Sequence, residues 1–369
     1  MANPIKAGII GCGDVLSAYM SLGETLRYRG LVEFVAAAAT TEEKRSVATE
    51  HGIGTFTTDY HDILNDDGID LVLVLSPAQT HARIVRDALE AGKHVLTEKP
   101  FATSLDDAAA IVALAAHSPG YLVCAPFVVL SPTFQTIWRL VERGDVGKIS
   151  LARGRYGWTG PWWSEWFYQE GGGPLSDFAI YNLTTLTALL GPASRVTAFA
   201  NTAVGRREVG GRSVEVEVED NAQVLIEFAS GALGVVTTGF TMQRYRSPAI
   251  ELYGSDGTIQ LLGDDWAPQG YELWRNDVGA WEIFYETDPF WPWTDGLRHA
   301  IECIERRTPP VCTPEHAFHV LEIVTRARQA ARDGIARVIE SSFTPPVFPS
   351  QPSGTVAAHL VHDPRGRRR

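Results

Sequence analysis

The sequence predicts an α/β domain with a doubly wound parallel sheet, followed by an α+β domain whose sheet is mostly antiparallel. Three observations predict it. Short runs that are apolar throughout recur over the first 125 residues, as in parallel strands covered on both faces. Helix-length stretches separate them, which calls for right-handed crossovers. In the second half the strand-like runs lengthen and alternate, as in a sheet with one covered and one exposed face.

The strands expected of the first domain are Ile5–Ile10, Val32–Ala39, Leu71–Leu75, Val95–Leu96 and Leu122–Cys124. Thr41–His51 carries mixed charge and stops at Gly52, and Ala82–Ala91 stops at Gly92, both as helices do. Leu105–His117 opens behind Ser104, an N-cap, with Asp107 placed to complete a capping-box-like pair. In the second domain a helix is expected over Phe178–Leu190, ended by Gly191-Pro192. Alternating strands follow at Val214–Val218, Ala222–Phe228 and Leu233–Thr238, punctuated by Ser230-Gly231 and Asp256-Gly257. Helices over Thr294–Arg306 and Pro314–Arg332 close it. The domains are placed at 1–125 and 126–343, with a Pro- and Arg-rich tail over 344–369.

A chain of 369 residues that is 45% hydrophobic can bury a sizeable core in each of two domains. Its net charge of −12 repels phosphate backbones, so nucleic acid is not an expected partner. The basic cluster of Arg365 and Arg367 to Arg369 reads as a solvated tail. No stretch approaches the ~20 apolar residues of a membrane span, and the start is strand-like rather than a signal peptide. The four cysteines show neither disulfide-framework nor zinc spacing, so a reduced cytoplasmic protein without a metal site is expected. The ten tryptophans gather between Trp158 and Trp166 and between Trp266 and Trp293, pointing to aromatic walls in the second half.

Gly11-Cys12-Gly13-Asp14-Val15 follows the first strand and leads into a helix. The first glycine permits a tight turn, and the second lets backbone approach a pyrophosphate at the helix N-terminus. The third glycine of the dinucleotide fingerprint is replaced by Leu16, and the acid expected after the second strand is absent. Thr40, Thr41, Lys44 and Arg45 stand there instead, which leaves room for a 2′-phosphate beside Glu42 and Glu43. The cofactor expected is NAD or NADP, with a lean to NADP. Ser76-Pro77-Ala78-Gln79-Thr80-His81 and Thr97-Glu98-Lys99-Pro100 end later strands, where an α/β sheet lines its ligand crevice. Lys99 reads either as a group beside a reacting hydroxyl or as a surface lysine paired with an acid. Asp177 and Tyr181, four apart after the run Gly171-Gly172-Gly173, share a helix face. They read either as a pair facing one cavity or as a helix N-terminal charge and a core ring.

Together, Gly11-Cys12-Gly13, Ser76-Pro77 with His81, Glu98-Lys99-Pro100, and Gly172-Gly173 with Asp177 and Tyr181 resemble the glucose–fructose oxidoreductase / inositol dehydrogenase (Gfo/Idh/MocA) family over roughly residues 5–340. The resemblance implies a Rossmann domain, a second domain with a large open antiparallel sheet, and a homodimer or homotetramer formed through that sheet. It implies a nicotinamide cofactor and hydride exchange at a carbinol of a sugar, glycoside or cyclic diol. Lys99 would polarise the reacting oxygen, Asp177 would hold the neighbouring hydroxyl, and Tyr181 would be the acid/base. Tyrosine replaces the family's usual histidine at that position, as in glucose–fructose oxidoreductase and dihydrodiol dehydrogenases. A phenol, with a pKa of about 10 in water, serves as base at neutral pH if a cation such as Lys99 stabilises the phenolate. Two alternatives fit the same resemblance: glycoside cleavage with transiently reduced bound NAD, and a silent dinucleotide-binding sensor. An arginine found after the fifth strand in many sugar-acting members is replaced here by Pro126-Phe127-Val128. Phe127 and Trp163 are therefore candidate substrate contacts, with Trp158, Trp162, Trp166, Phe167 and Tyr168 open to ligand, core or interface roles.

Overall fold

The apolar runs of the first part become six parallel strands in the computed structural model, which describes residues 3–286, 288, 290–348 and 359–361. They are β1 (Ile5–Ile10), β2 (Val32–Ala38), β3 (Thr55–Thr57), β4 (Leu71–Val74), β5 (His94–Thr97) and β6 (Leu122–Cys124), ordered β3-β2-β1-β4-β5-β6. Strand order reverses between β1 and β4, and a ligand crevice forms at the strand C-termini at such a point. Helices α1 (Leu16–Tyr28), α2 (Arg45–Glu50), α3 (His61–Leu64), α4 (Ala78–Glu90) and α5 (Leu105–Ala115) connect them. Every residue of β4 is buried, as a strand covered on both faces requires. Strand β3 is too short and polar to have been read from periodicity. Ser104 caps α5 as expected: its Oγ accepts from Asp107 N at 3.1 Å and donates to Asp107 Oδ2 at 2.8 Å.

The second sheet is mixed and mostly antiparallel. After α6 (Pro132–Glu142) come β7 (Ile149–Gly157), α7 (Ile180–Leu190) and β8 (Ala193–Asn201). The hairpin β9 (Arg206–Val209) and β10 (Arg212–Glu215) stands apart from the sheet. Its turn, Gly210-Gly211, has φ of 57° and 79°, which suits glycine and the twist of a two-residue hairpin. Strands β11 (Asn221–Phe228), β12 (Leu233–Gly239), β13 (Ile250–Gly254), β14 (Gly257–Asp264), β15 (Ala267–Arg275) and β16 (Trp281–Tyr285) follow. After α8 (Gly296–Arg306) and α9 (Pro314–Asp333), β17 (Arg337–Val338) and β18 (His359–Val361) complete ten strands in the order β17-β8-β11-β12-β7-β13-β14-β15-β16-β18. Only the β12–β7 pair among those described is parallel. Along β11, Ala222, Val224, Ile226 and Phe228 are buried while Leu225 is exposed, the alternation that the sequence announced.

The chain divides into two compact units, Met1–Phe127 with Pro292–Phe318, and Val128–Trp291 with His319–Arg369. The first break lies beside the expected 125/126 boundary. Residues 292–318, read from order along the chain as part of the second domain, belong with the first unit. There α8 packs on α1, β5 and β6, because it buries Leu297, Ala300, Ile301 and Cys303 on one stripe. At the end of the second unit, Phe348 is buried edge-on to Phe134 and Trp138, so this residue of the expected tail is part of the core. Most of 344–369, including Arg365 and Arg367 to Arg369, lies outside the described residues. No described helix is long and apolar enough to cross a membrane.

Candidate active site

In the first unit the turn after β1 is built by two glycines with different tasks. Gly11 has φ of 109°, and a Cβ there would lie 2.4 Å from Ser76 N and 2.5 Å from Leu75 C. A Cβ on Gly13 would meet no described heavy atom within 4 Å, so that side of the turn is open. No described side chain caps the N-terminus of α1 behind Val15, and its first turn carries no acid. Open backbone at an uncapped helix N-terminus fits a diphosphate. Leu16, in place of the third glycine, is fully buried, and the close helix–strand approach is made further along α1. A Cβ on Gly23 would lie 2.8 Å from the Phe34 ring of β2. The fingerprint's packing function has therefore moved to Gly23, a position that its spacing does not reveal.

Around this turn, Asp14 is exposed, and Cys12 is buried with its thiol 4.0 Å from Ala38 O. Burial pushes the Cys12 thiol up, and the charge of Lys44 pulls the other way. Thr40 and Thr41 are exposed, the Thr41 hydroxyl holding the Glu43 carboxyl below its ordinary value. Arg45 is engaged on its own side of the loop, its fork donating to Glu42 at 2.9 and 3.2 Å.

At the end of β5 the Lys99 backbone is held from two directions. Glu98 is buried; its Oε1 accepts from Tyr19 OH at 2.7 Å and its Oε2 from Lys99 N at 3.0 Å. Trp293 meets the Tyr19 ring edge-on at 5.9 Å. The Lys99–Pro100 peptide is cis, and His81, 1% exposed, places its ring nitrogens 2.8 Å from Pro100 O and 2.6 Å from Ser76 O. Burial holds the His81 imidazole below its ordinary pKa. The ring lies between two backbone carbonyls, and its one N–H in the neutral form ties His81 to the end of either β4 or β5. Glu98, expected at the cofactor, likewise acts from beneath, as a buried brace. Ser76 Oγ lies 2.7 Å from Thr80 Oγ1, while Pro77 and Gln79 are exposed where α4 begins. Replacing Glu98 by Ala removes the buried acceptor shared by the Tyr19 hydroxyl and Lys99 N, with an expected loss of about 1–3 kcal/mol in urea unfolding. Phe127 departs from its expected role. It is 1% exposed and a Cβ on Gly296 would lie 2.4 Å from its ring, so it is a core side chain.

In the second unit the glycine run is fixed by side chains far away in sequence. A Cβ on Gly172 would lie 2.4 Å from Trp166 O and 2.6 Å from Phe167 O, and Gly173 has φ of 82°. Arg328 of α9 donates to Gly172 O and, at 2.8 to 3.2 Å, to the Glu219 carboxylate. The helix then opens with a π turn over Leu175–Ala179 before α7, whereas the spacing predicts a regular helix. A π turn widens the coil just where Asp177 sits buried and Tyr181 half-buried follows. Tyr156 of β7 meets the Tyr181 ring edge-on at 5.7 Å and Phe178 at 4.5 Å. Burial pushes the Tyr156 phenol well up, so it stays neutral beside Tyr181. Nothing in the sequence pattern singles out Tyr156.

Behind α7 lies a buried carboxyl. Asp265 Oδ2 accepts from Asn182 Nδ2 at 2.9 Å and from Thr185 Oγ1 at 3.1 Å. Burial pushes Asp265 up to about 7, against those two bonds, with Asp264 adding repulsion. The folded state therefore keeps a proton that an unfolded aspartate releases near pH 4. Protons bound by the folded state exceed those of the unfolded state between about pH 4 and 7, so Asp265 lowers stability as pH rises through that window. Asp265→Asn is expected to flatten this fall by a few kcal/mol, read as urea midpoints from pH 4.5 to 8.

The loop between β7 and the glycine run carries the aromatic cluster. Trp166, Phe167 and Tyr168 pack inward with Phe178, Val209, Val216 and Phe240. Trp163, by contrast, is 43% exposed.

Comparison with known proteins places these features in context. Residues 5–124 match the family model described as "Oxidoreductase family, NAD-binding Rossmann fold", and residues 134–260 match that of the "GFO/IDH/MocA C-terminal domain". The chain is 30% identical over 339 residues to a dTDP-3,4-didehydro-2,6-dideoxy-alpha-D-glucose 3-reductase of Actinomadura kijaniata, covering 90% of this chain and 97% of the relative. It is 27% identical over 288 residues to the levoglucosan dehydrogenase of Pseudarthrobacter phenanthrenivorans, covering 69% and 73%. Among solved structures, an NAD binding oxidoreductase from Klebsiella pneumoniae superposes with a TM-score of 0.84 at 20% identity, over 92% of this chain and 100% of that one.

Proposed function

The chain belongs to the GFO/IDH/MocA family of oxidoreductases, and we propose that it exchanges hydride at a CH–OH carbon of a sugar, glycoside or cyclic diol, with Tyr181 as acid/base. The observation that carries this reading is the built end of β5, where Glu98 and His81 brace the backbone that bears Lys99. A surface lysine needs no such support. When bound, the nicotinamide supplies the hydride acceptor in oxidation and the donor in reduction. Gly11, Gly13 and the α1 N-terminus would hold its diphosphate, and Ser76, Pro77 and Gln79 would flank it.

In oxidation Tyr181 takes the hydroxyl proton, and Lys99 stabilises the oxyanion that develops on the same oxygen. Asp177 binds the neighbouring hydroxyl and so sets which carbon reacts. Lys99 belongs to the first unit and Tyr181 to the second, so the proposal requires both to reach one carbinol. The test is titration of the protein with NADH and NADPH, then a polyol and glycoside panel read by reduced-nicotinamide absorbance. Cofactor binding without turnover on any member, and without glycoside cleavage, would sink the hydride reading.

For the cofactor, the lean to NADP rests on the absence of an acid after β2, where Thr40 and Thr41 leave room for a 2′-phosphate and Lys44 offers it a cation. Arg45 contributes less, since its fork is spent on Glu42. Lys44→Ala is expected to weaken NADPH about tenfold more than NADH. Equal weakening of both would move the preference to NAD.

The exposed face of the second sheet carries Leu151, Phe199, Leu225 and Leu233, with Phe199 80% exposed. Adjacent apolar side chains on an open sheet face support a homodimer or homotetramer through it. Phe199→Asp is expected to shift the light-scattering mass to that of one chain.

A further inference from the structure

The loop after β7 has a feature that the hydride reading does not use. Trp162 is 60% exposed and Trp163 43% exposed, with the two rings edge-to-face at 5.0 Å. Their exposure does not come from a loose backbone. Gly210 N donates to Trp162 O at 2.9 Å, Arg207 Nη1 to Thr159 O at 2.7 Å, and Tyr168 OH to Pro161 O at 2.5 Å. Arg212 pairs with Glu165 at 2.6 Å. The backbone is thus tied to the β9–β10 hairpin while two indoles are left facing water, an arrangement that hydrophobicity alone disfavours.

These rings also continue the wall that bears the acid/base. Trp158 lies 5.4 and 5.7 Å from Trp162 and Trp163, and 6.4 Å from Phe178. Phe178 lies 4.5 Å from Tyr156, which meets Tyr181 at 5.7 Å. All belong to one unit, so ring contacts join Tyr181 to Trp162 and Trp163 as one aromatic wall, whose middle ring, Phe178, is buried and whose far end is exposed. A single pyranose bound at Tyr181 does not need the far end of such a wall. A second ring attached to it does, because flat or apolar ring faces stack on indoles.

We propose that Trp162 and Trp163 form a second-ring subsite, and that the substrate is a pyranoside whose aglycone is itself a ring, an aryl group or another sugar. This rests on the reading that Tyr181 faces the reacting carbinol. The test is calorimetric binding of phenyl and methyl β-D-glucopyranosides, galactopyranosides and xylopyranosides to the cofactor-loaded protein, with W162A, W163A and W162F. Phenyl glycosides should bind more tightly than their methyl counterparts. That preference should fall about tenfold in W162A and W163A, and be largely retained in W162F. An unchanged preference in both alanine variants overturns the subsite, as does equal weakening of phenyl and methyl glycosides, or no binding of either. A changed oligomeric mass with an unchanged preference also overturns it, and assigns the indoles to contact between copies. Because binding is read without turnover, loss of the preference in a protein that oxidises nothing would keep the subsite and sink the hydride reading instead.

Discussion

Lys99→Ala is expected to lower kcat/KM for carbinol oxidation by about 10²–10⁴-fold while leaving cofactor affinity nearly unchanged. As hydride leaves the carbon, the substrate oxygen gains negative charge, and a preorganised ammonium stabilises that charge more than it stabilises the neutral hydroxyl. The cost should therefore fall mainly on kcat rather than on KM. Lys99→Arg is expected to recover little, because a planar fork on a longer stem cannot stand at the same point as a compact ammonium. The β5 end gives a built-in control. Glu98→Gln keeps one oxygen to accept from Lys99 N, while its amide N–H can donate to the Tyr19 hydroxyl oxygen, so it should hold the backbone in place and cost far less than removing the ammonium. If Lys99→Ala turns over within threefold of the parent, the role assigned to Lys99 fails. A parallel loss in Tyr181→Phe, with the pH profile of kcat altered, separates the acid/base from the oxyanion partner.

How much of this was legible in the sequence depends on whether the cause is local. Parallel strands such as β4 were legible because burial on both faces leaves an uninterrupted apolar run. The α5 cap was legible because Ser104 and Asp107 act three residues apart. The glycine turn was legible because φ near 109° at Gly11 admits little else. The braces were not. Tyr19 reaches Glu98 across 79 residues and Arg328 reaches Glu219 across 109, and spacing along the chain carries no trace of either. The placement of α8 with the first unit was hidden for the same reason, since an amphipathic stripe shows that a helix packs but not on what. Phe127 was misjudged because a large ring looks the same in sequence whether it lines a site or fills the space over Gly296. Asp220 was hidden in the same way: it is fully buried, and its charged partner Arg207 lies 13 residues away.

Asp220→Ala is accordingly expected to be among the most destabilising single changes in the second unit, at about 3–5 kcal/mol. The carboxylate accepts from Ala203 N at 2.7 Å, Val204 N at 2.9 Å, Asn221 Nδ2 at 2.8 Å and Arg207 Nη2 at 3.3 Å. Truncation leaves two backbone N–H groups without an acceptor and a nearly buried guanidinium without its counter-charge. Unpaired buried donors cost about 1–3 kcal/mol each before relaxation, and an uncompensated buried charge costs more. Asp220→Asn keeps one acceptor but removes the charge and should recover less than half of the loss. The effect should also reach the aromatic loop, since Arg207 donates to Thr159 O and Phe240 O and sits 5.8 Å over the Tyr168 ring. Arg207→Met in the Asp220→Ala background should then cost little more, because the stranded cation is removed with its partner. Urea unfolding of the four proteins gives the coupling directly. A strictly additive cycle would show that Asp220 acts through its backbone bonds alone and that Arg207 anchors the loop without it.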